Sequence, residues 1–178
     1  MPRNIEIKVR LGDLAAARDV VRGLGAQPHV IEVQTDRYYE LDGGRRVKLR
    51  SIVGGRAEMI DYARPEASGV RASDYTITPV RDASGCQVPR GEPLVIVRKR
   101  REVLLIDNVR VHLDDVDGLG TFLELEAVVD AAHDDAVCRA QVARIMAGLG
   151  VREADLIRAS YAELLQGARA ASTRTTAL

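Results

Sequence analysis

Aromatic residues are scarce in this chain of 178 residues: five Tyr, one Phe and no Trp, or 3% of the total. A surplus of either charge is missing too, because 26 Lys and Arg balance 26 Asp and Glu. Without a basic excess or stacking rings, the chain lacks the footprint of a nucleic-acid surface and has no general attraction for an anionic membrane. No apolar run approaches the roughly 20 residues needed to span a bilayer. The N-terminus, MPRNIEIKVR, is charged from its start and has no signal-peptide core. Only two cysteines occur, Cys86 and Cys138, and they lack metal-ligand spacing, so a reducing cytoplasmic setting is the expectation. Apolar residues, at 46%, suffice for a core without disulfides, and residues 1–166 read as one domain. Charged residues make up 29% of the chain, so the informative question is where the balanced charges sit.

Period-2 alternation carries most of the chain. Ile5, Ile7, Val9 and Leu11 lie on one face of a first strand; Asn4, Glu6, Lys8 and Arg10 lie on the other. Asp13 reads as the N-cap of a helix with a Leu14, Ala17, Val21, Leu24 stripe, ended by Gly23 and Gly25. Two β-rich runs, 30–41 and 45–52, flank the hairpin turn Asp42-Gly43-Gly44, and a short strand follows at 57–64. From Pro65 to Pro93 the Gly-, Pro-, Ser- and Asp-rich composition predicts loop, with one strand-like piece near Tyr75–Pro79. Strands at 94–106, 108–114 and 122–129 come next, with turns near Asp107 and at Asp117–Gly120. Two amphipathic helices close the chain, one on Cys138, Val142, Ile145, Met146 and Leu149, the other on Ile157, Tyr161, Leu164 and Leu165. Residues 167–178 read as an unstructured tail.

The unusual feature is the company on the non-apolar faces. Arg46, Lys48 and Arg50 share one face, Arg110, His112 and Asp114 another, and Glu124 with Glu126 a third. A solvated sheet face explains any one of these, but short blocks of one sign recurring in four strands favour an interior. If the sheet closes, basic and acidic blocks face each other, as suits a polyanion held by Arg and Lys with a divalent cation on carboxylates. Glu at i and i+2 point the same way from a strand and can share one hard ion. The apolar faces then point outward, and the helices supply their cover.

These residues resemble the CYTH superfamily, named for class IV adenylyl cyclases and thiamine triphosphatases. Asn4-Ile5-Glu6-Ile7-Lys8 is similar to its ExExK signature, and Arg46-Val47-Lys48-Leu49-Arg50 and Tyr62-Ala63-Arg64-Pro65 to later strands. The most specific block is Val109–Asp114 followed by Gly118-Leu119-Gly120-Thr121-Phe122-Leu123-Glu124-Leu125-Glu126, nearest to the bacterial class IV adenylyl cyclase-like proteins. The resemblance implies an α+β fold: a closed eight-stranded antiparallel β-barrel, or tunnel, with flanking helices. It also implies a metal-dependent enzyme, best read as converting ATP to cyclic AMP and pyrophosphate. Carried over by position, Glu6, Glu124 and Glu126 hold Mg²⁺ or Mn²⁺, and Lys8 joins Glu6 and Glu126 as catalytic residues. Arg10, Lys48, Arg50, Arg64, Lys99, Arg101 and Arg110 contact phosphates. Lys99 and Arg101 are chosen over Arg98 and Arg100 by resemblance only, since the run leaves the parity open. Asn4, where the signature has its first Glu, keeps an amide oxygen for a cation but carries one negative charge fewer. His112 and Asp114 share the wall without separable roles. Relatives are often dimers, which implies a homodimer.

A triphosphatase acting on thiamine or inorganic triphosphate uses the same parts and stays open as an alternative. So does a reaction on another phosphorylated metabolite, or a non-catalytic polyphosphate or nucleotide binder. Smaller signals read as structural: Cys138 and Tyr161 as core, His29 and His133 as surface. Ser160 beside Glu163 has no base placed for nucleophilic chemistry.

Overall fold

The protein is described here by a computed structural model that covers residues 3–40, 46–63, 71–80 and 91–175. Among the described residues eight strands occur, β1 (Arg3–Arg10), β2 (Gln27–Glu40), β3 (Arg46–Ile52), β4 (Arg56–Ala63), β5 (Arg71–Pro79), β6 (Val95–Ile106), β7 (Val109–Val116) and β8 (Gly120–Val129). Three helices accompany them, α1 (Leu14–Gly23), α2 (Asp135–Gly148) and α3 (Tyr161–Thr175). None of these helices is long and apolar enough to cross a membrane. The turn at Asp42–Gly44, the cysteine Cys86 and the candidate Arg64 lie outside the described residues, as does the side chain of Arg46.

The strands build one curled antiparallel sheet. Hydrogen-bonded neighbours run β1-β5-β4-β3-β2-β6-β7-β8, and β8 pairs back to β1. The two edges of this ring are unequal. β1 pairs with β8 along its whole length, from Arg3 against Val129 to Arg10 against Phe122. Against β5 it pairs only from Arg3 to Glu6, with Asp74 to Arg71 opposite. The closed tunnel expected from the resemblance is therefore met in part: the curled sheet joins at one end, and from Ile7 onward the β5 flank of β1 has no strand partner among the described residues, leaving a half-barrel there.

The sheet is inside-out relative to a core-filled barrel. Ile5, Ile7 and Val9 of β1, Val111 and Leu113 of β7 and Leu123 and Leu125 of β8 point outward and are buried under Ala17, Val21, Cys138, Val142 and Ile145 of α1 and α2. At ~25 cal/mol per Å² of apolar surface, this helix cover makes the outer faces the main hydrophobic core. Asp13 caps α1 as expected, accepting from the backbone N–H of Ala15 and Ala16 at 2.7 and 3.1 Å. Cys138 is fully buried. The charged faces of the same strands are left to line the interior.

Three boundaries differ from the sequence reading. β5 begins at Arg71, inside the stretch read as loop, because pairing to β1 at Arg71–Asp74 and to β4 from Asp74 onward overrides its loop-like composition. Ile157 is not helical; it follows Leu156, which bridges to Val9, and its backbone N–H bonds Lys8 O at 2.8 Å. The helix starts at Tyr161 instead, where Ser160 Oγ accepts from Glu163 N at 3.2 Å and Glu163 Oε2 accepts from Ser160 N at 2.6 Å. That reciprocal pair is a capping box and accounts for Ser160. α3 then continues past Gly167 to Thr175, so the tail read as unstructured from residue 167 is helical there. Ala168, Ala170 and Ala171 supply the high propensity that the reading of a small, polar tail overlooked.

Candidate active site

Helix α3 blocks one end of the sheet. Tyr161, Ala162 and Leu165 pack against Tyr38, Val95, Val97, Val116 and Phe122 in a second apolar cluster. The turn that leads into β8 needs positive φ at Gly118 (74°) and Gly120 (87°), conformations glycine adopts freely. Above this plug lies a cavity of about 330 Å³, lined by inward-facing residues of all eight strands together with Ser160 and Tyr161.

One wall is basic and is organised by a residue the sequence reading did not single out. Asp36 of β2, 1% exposed, receives Arg50 Nε and Nη2 at 2.8 and 2.9 Å. Lys48 Nζ and Lys99 Nζ lie 3.5 and 3.6 Å from its Oδ2. Burial alone would raise the Asp36 pKa, but Lys48, Arg50 and Lys99 outweigh it and hold the carboxyl well below its usual range. Three cations on one carboxylate leave net positive charge. Burial, followed by repulsion from Arg50, Lys99 and Arg101, pushes Lys48 down to about 7 against the pull of Asp36. Burial and Arg101 push Lys99 down to about 8. A cluster with this strain gains from a polyanion. The signal for Asp36 was present in the sequence: it shares β2 parity with Glu32, Gln34 and Tyr38, all on the cavity side.

Arg101 links this wall to the other. Its Nε donates to Asp114 Oδ1 at 2.7 Å and its Nη2 to Asp114 Oδ2 at 2.5 Å, and it also bonds Glu124. Asp114, fully buried beneath the cavity, accepts from Tyr161 Oη as well, at 2.9 Å. Arg98 and Arg100 are exposed on the outer face, which resolves the parity of that run. Tyr161 packs in the core as expected and is also part of the site, with Lys8 Nζ 4.2 Å and Lys99 Nζ 5.1 Å from its ring centre. Such cation–π contacts hold the two lysines at the plug.

The opposite wall is acidic. Strand β8 stands four steps from β3 in either direction around the ring, so Glu124 and Glu126 face Lys48 and Arg50. In the β1–β8 register Glu6 lies opposite Glu126 and Lys8 opposite Glu124. Lys8 Nζ reaches Glu124 Oε1 at 3.0 Å and Ala159 O at 3.2 Å. Burial raises Glu124 and Glu126, but Lys8 and Arg101 hold the first well below the carboxylate range, and His112 and Arg110 lower the second. Like charges directly across strands are unfavourable by themselves. His112, Glu124 and Glu126 each offer a donor atom within 4.8 Å of the other two, a grouping able to hold a metal ion. Asn4 lines the cavity too, and its buried Oδ1 has no hydrogen-bond partner. An orphaned amide oxygen beside paired carboxylates fits a hard cation's need for oxygen ligands.

Arg110 lines the cavity, with Nε 3.6 Å from Glu126 Oε2. Arg10 does not line it: exposed at the end of β1, it donates to Leu119 O at 2.7 Å and stacks 4.8 Å over the Phe122 ring. Its phosphate role loses support, because the strand ends beyond the plug.

A model of the CYTH domain matches residues 2–161. The chain belongs to the CYTH family. A putative adenylate cyclase of Methanocaldococcus jannaschii is 34% identical over 68 residues, 38% of this chain and 39% of that protein, so the match spans about two-fifths of the curated relative. A solved protein of Pyrococcus horikoshii OT3 superposes with a TM-score of 0.75 at 24% identity, covering 90% of this chain and 98% of that one. A putative adenylyl cyclase of Hippeastrum, described as having a dominant triphosphatase activity, superposes with a TM-score of 0.64 at 14% identity over 93% and 96% of the chains. At these identities the likenesses establish the CYTH fold. CYTH proteins act on triphosphates and include both cyclases and triphosphatases; the three-residue cluster in the acidic wall matches their dependence on metal.

Proposed function

We propose that this CYTH protein is a divalent-cation-dependent enzyme acting on a nucleoside triphosphate, with conversion of ATP to cyclic AMP and pyrophosphate as its reaction. The observation that carries this reading is the convergence of Lys48, Arg50, Lys99 and Arg101 on one cavity that Glu6, Glu124 and Glu126 also line. The likeness to the putative adenylate cyclase of Methanocaldococcus jannaschii favours the cyclase. Lys8 and Lys99 lie against Tyr161 at the plugged end. Glu124, paired to Lys8, shares that level, whereas Glu6, Glu126 and Asn4 lie further along their strands. A triphosphate whose terminal groups enter first sets its α-phosphorus beside the acidic wall and its nucleoside toward the mouth.

The residues then divide the work. Lys99, Arg101, Lys48 and Arg50 hold the departing pyrophosphate oxygens with charge-assisted hydrogen bonds, and Asp36 and Asp114 keep those side chains extended into the cavity. Glu6, Glu124 and Glu126 would hold Mg²⁺ or Mn²⁺, which when bound lowers the pKa of the attacking hydroxyl and screens charge at phosphorus. Lys8, paired to Glu124, sits where it can neutralise the phosphate chain. Catalysis is then chiefly positioning and electrostatics.

Hydrolysis of the terminal phosphate is the second reading, supported by the activity ascribed to the Hippeastrum relative. ³¹P NMR of the protein with Mg²⁺ or Mn²⁺ and ATP, thiamine triphosphate or inorganic triphosphate separates the two. Pyrophosphate with a cyclic phosphodiester supports the cyclase, whereas orthophosphate overturns it in favour of the hydrolase. Tight binding with no turnover overturns both and identifies a binder.

A further inference from the structure

One buried group of the acidic wall has a ring nitrogen within ion-pair range of two carboxylates but hydrogen-bonded to neither. His112 stands on β7 opposite Glu124 of β8. Its side chain is 5% exposed and its Nδ1 lacks any hydrogen-bond partner. The atom is aimed between two carboxylates, 3.9 Å from Glu124 Oε2 and 3.8 Å from Glu126 Oε1. Both separations are too long for a hydrogen bond. A histidine buried only to brace the wall would close on one of these oxygens, since an unpaired buried polar atom costs about 1–3 kcal/mol. Here the three side chains stand off from a common point instead. Their donor atoms lie within 4.8 Å of one another. One ion about 2 Å from each donor bridges such a spacing after small side-chain shifts. Asn4 Oδ1, the other orphan of this region, borders the same cavity from β1. Ligation through Glu124 Oε2 leaves Arg101 its two-pronged pairing with Asp114.

We infer that His112 Nδ1 is a nitrogen ligand of the cavity's divalent cation, alongside Glu124 and Glu126, and that it turns the site toward a transition-metal ion of the Mn²⁺ kind over Mg²⁺. The inference rests on the proposed reading that the acidic wall holds a cation. Carboxylate and amide oxygens alone form the hard set that suits Mg²⁺. An imidazole makes the set mixed, and nitrogen donors favour first-row transition ions.

The experiment adds Mn²⁺ alone to the intact protein and records pulsed electron paramagnetic resonance for ¹⁴N coupling, with affinities for Mn²⁺ and Mg²⁺ from competition titration. The chain has three histidines, so a His29→Gln, His133→Gln double variant makes His112 the sole imidazole. Coupling should persist in that variant, which leaves residue 112 untouched, and vanish when His112→Gln is added. His112→Gln should weaken Mn²⁺ binding about tenfold or more while Mg²⁺ changes by less than about threefold. Mn²⁺ bound without ¹⁴N coupling overturns the inference and leaves an oxygen-only cation site standing. Equal losses for both ions overturn the preference for Mn²⁺. Failure of wild-type protein to bind Mn²⁺ overturns the inference and the cation reading together.

Discussion

Strands β7, β8 and β1 carry a helix cover on their outer faces while their inner faces line the cavity, whereas the outer face of β2 is open. Outward-facing Ile5, Val111 and Leu125 are fully shielded by α1 and α2. On β2 the outward Ile31 and Val33 are 56% and 51% exposed. Pairing follows the same division: β1 and β8 run together from Arg3 to Arg10, but β1 and β5 only from Arg3 to Glu6. The carboxylates and His112 therefore stand on strands braced from behind by the helices, which fixes their spacing without a ligand. Lys48 and Arg50 stand on the thinner side and are held by Asp36. The acidic wall is positioned by the core, the basic wall by its own electrostatics.

The largest effect should come from breaking the covered half. Leu125→Ala should cost about 2–5 kcal/mol in urea unfolding, as cavity-forming core truncations do. Ile31→Ala, on the open half, should stay within about 0.5 kcal/mol. Equal costs would erase the distinction between the halves.

Catalytic effects should divide along the same line. Glu126→Gln should lower kcat by about 100-fold or more, since it removes charge from the acidic wall. Lys48→Ala should chiefly raise KM, by about tenfold, through one lost charged contact. Steady-state kinetics with ATP, on variants whose circular dichroism matches the wild type, checks the split. A Lys48→Ala defect confined to kcat would contradict a binding role.

A further effect is a pH dependence of the ligand-free protein. Lys48 and Lys99 release protons near 7 and 8 when folded. Unfolded lysines hold theirs to about 10.4, so between these values the unfolded state binds more protons and stability rises with pH. Below about 7 both forms are protonated and the slope from these groups disappears. Melting temperatures across this range should rise, and Lys48→Met should flatten the lower part of the rise.

Much of the site was legible because alternation is local. Glu6, Lys8, Lys48, Arg50, Glu124 and Glu126 share faces that period 2 alone assigns, and the cavity gathers all six. The run from Arg98 to Arg101 has four cations in a row, so period 2 could not choose among them; the resemblance picked Lys99 and Arg101, and the strand burial shows that they face inward. Tyr161 looked like one more apolar rung of a helix. Its role came from the path of Leu156–Ile157 beside β1, a contact no local pattern encodes. Period 2 puts Asp36 on one face with Glu32, Gln34 and Tyr38, but its role lies in three cations brought from β3 and β6, which no local pattern encodes.

By itself the sequence determined which residues share a strand face, where α1 is capped, and that the motifs are those of the CYTH family. Those follow from backbone geometry and residue spacing, which act over a few positions. That the charged faces turn inward was decided by the tertiary structure, because α1 and α2 cover the apolar faces and leave the others nowhere else to go. So was the plug, where Lys8 meets the carbonyl of a residue 151 positions away. The stand-off of His112 from two carboxylates belongs there too, since separations of a few ångströms across strands depend on how the whole sheet curls.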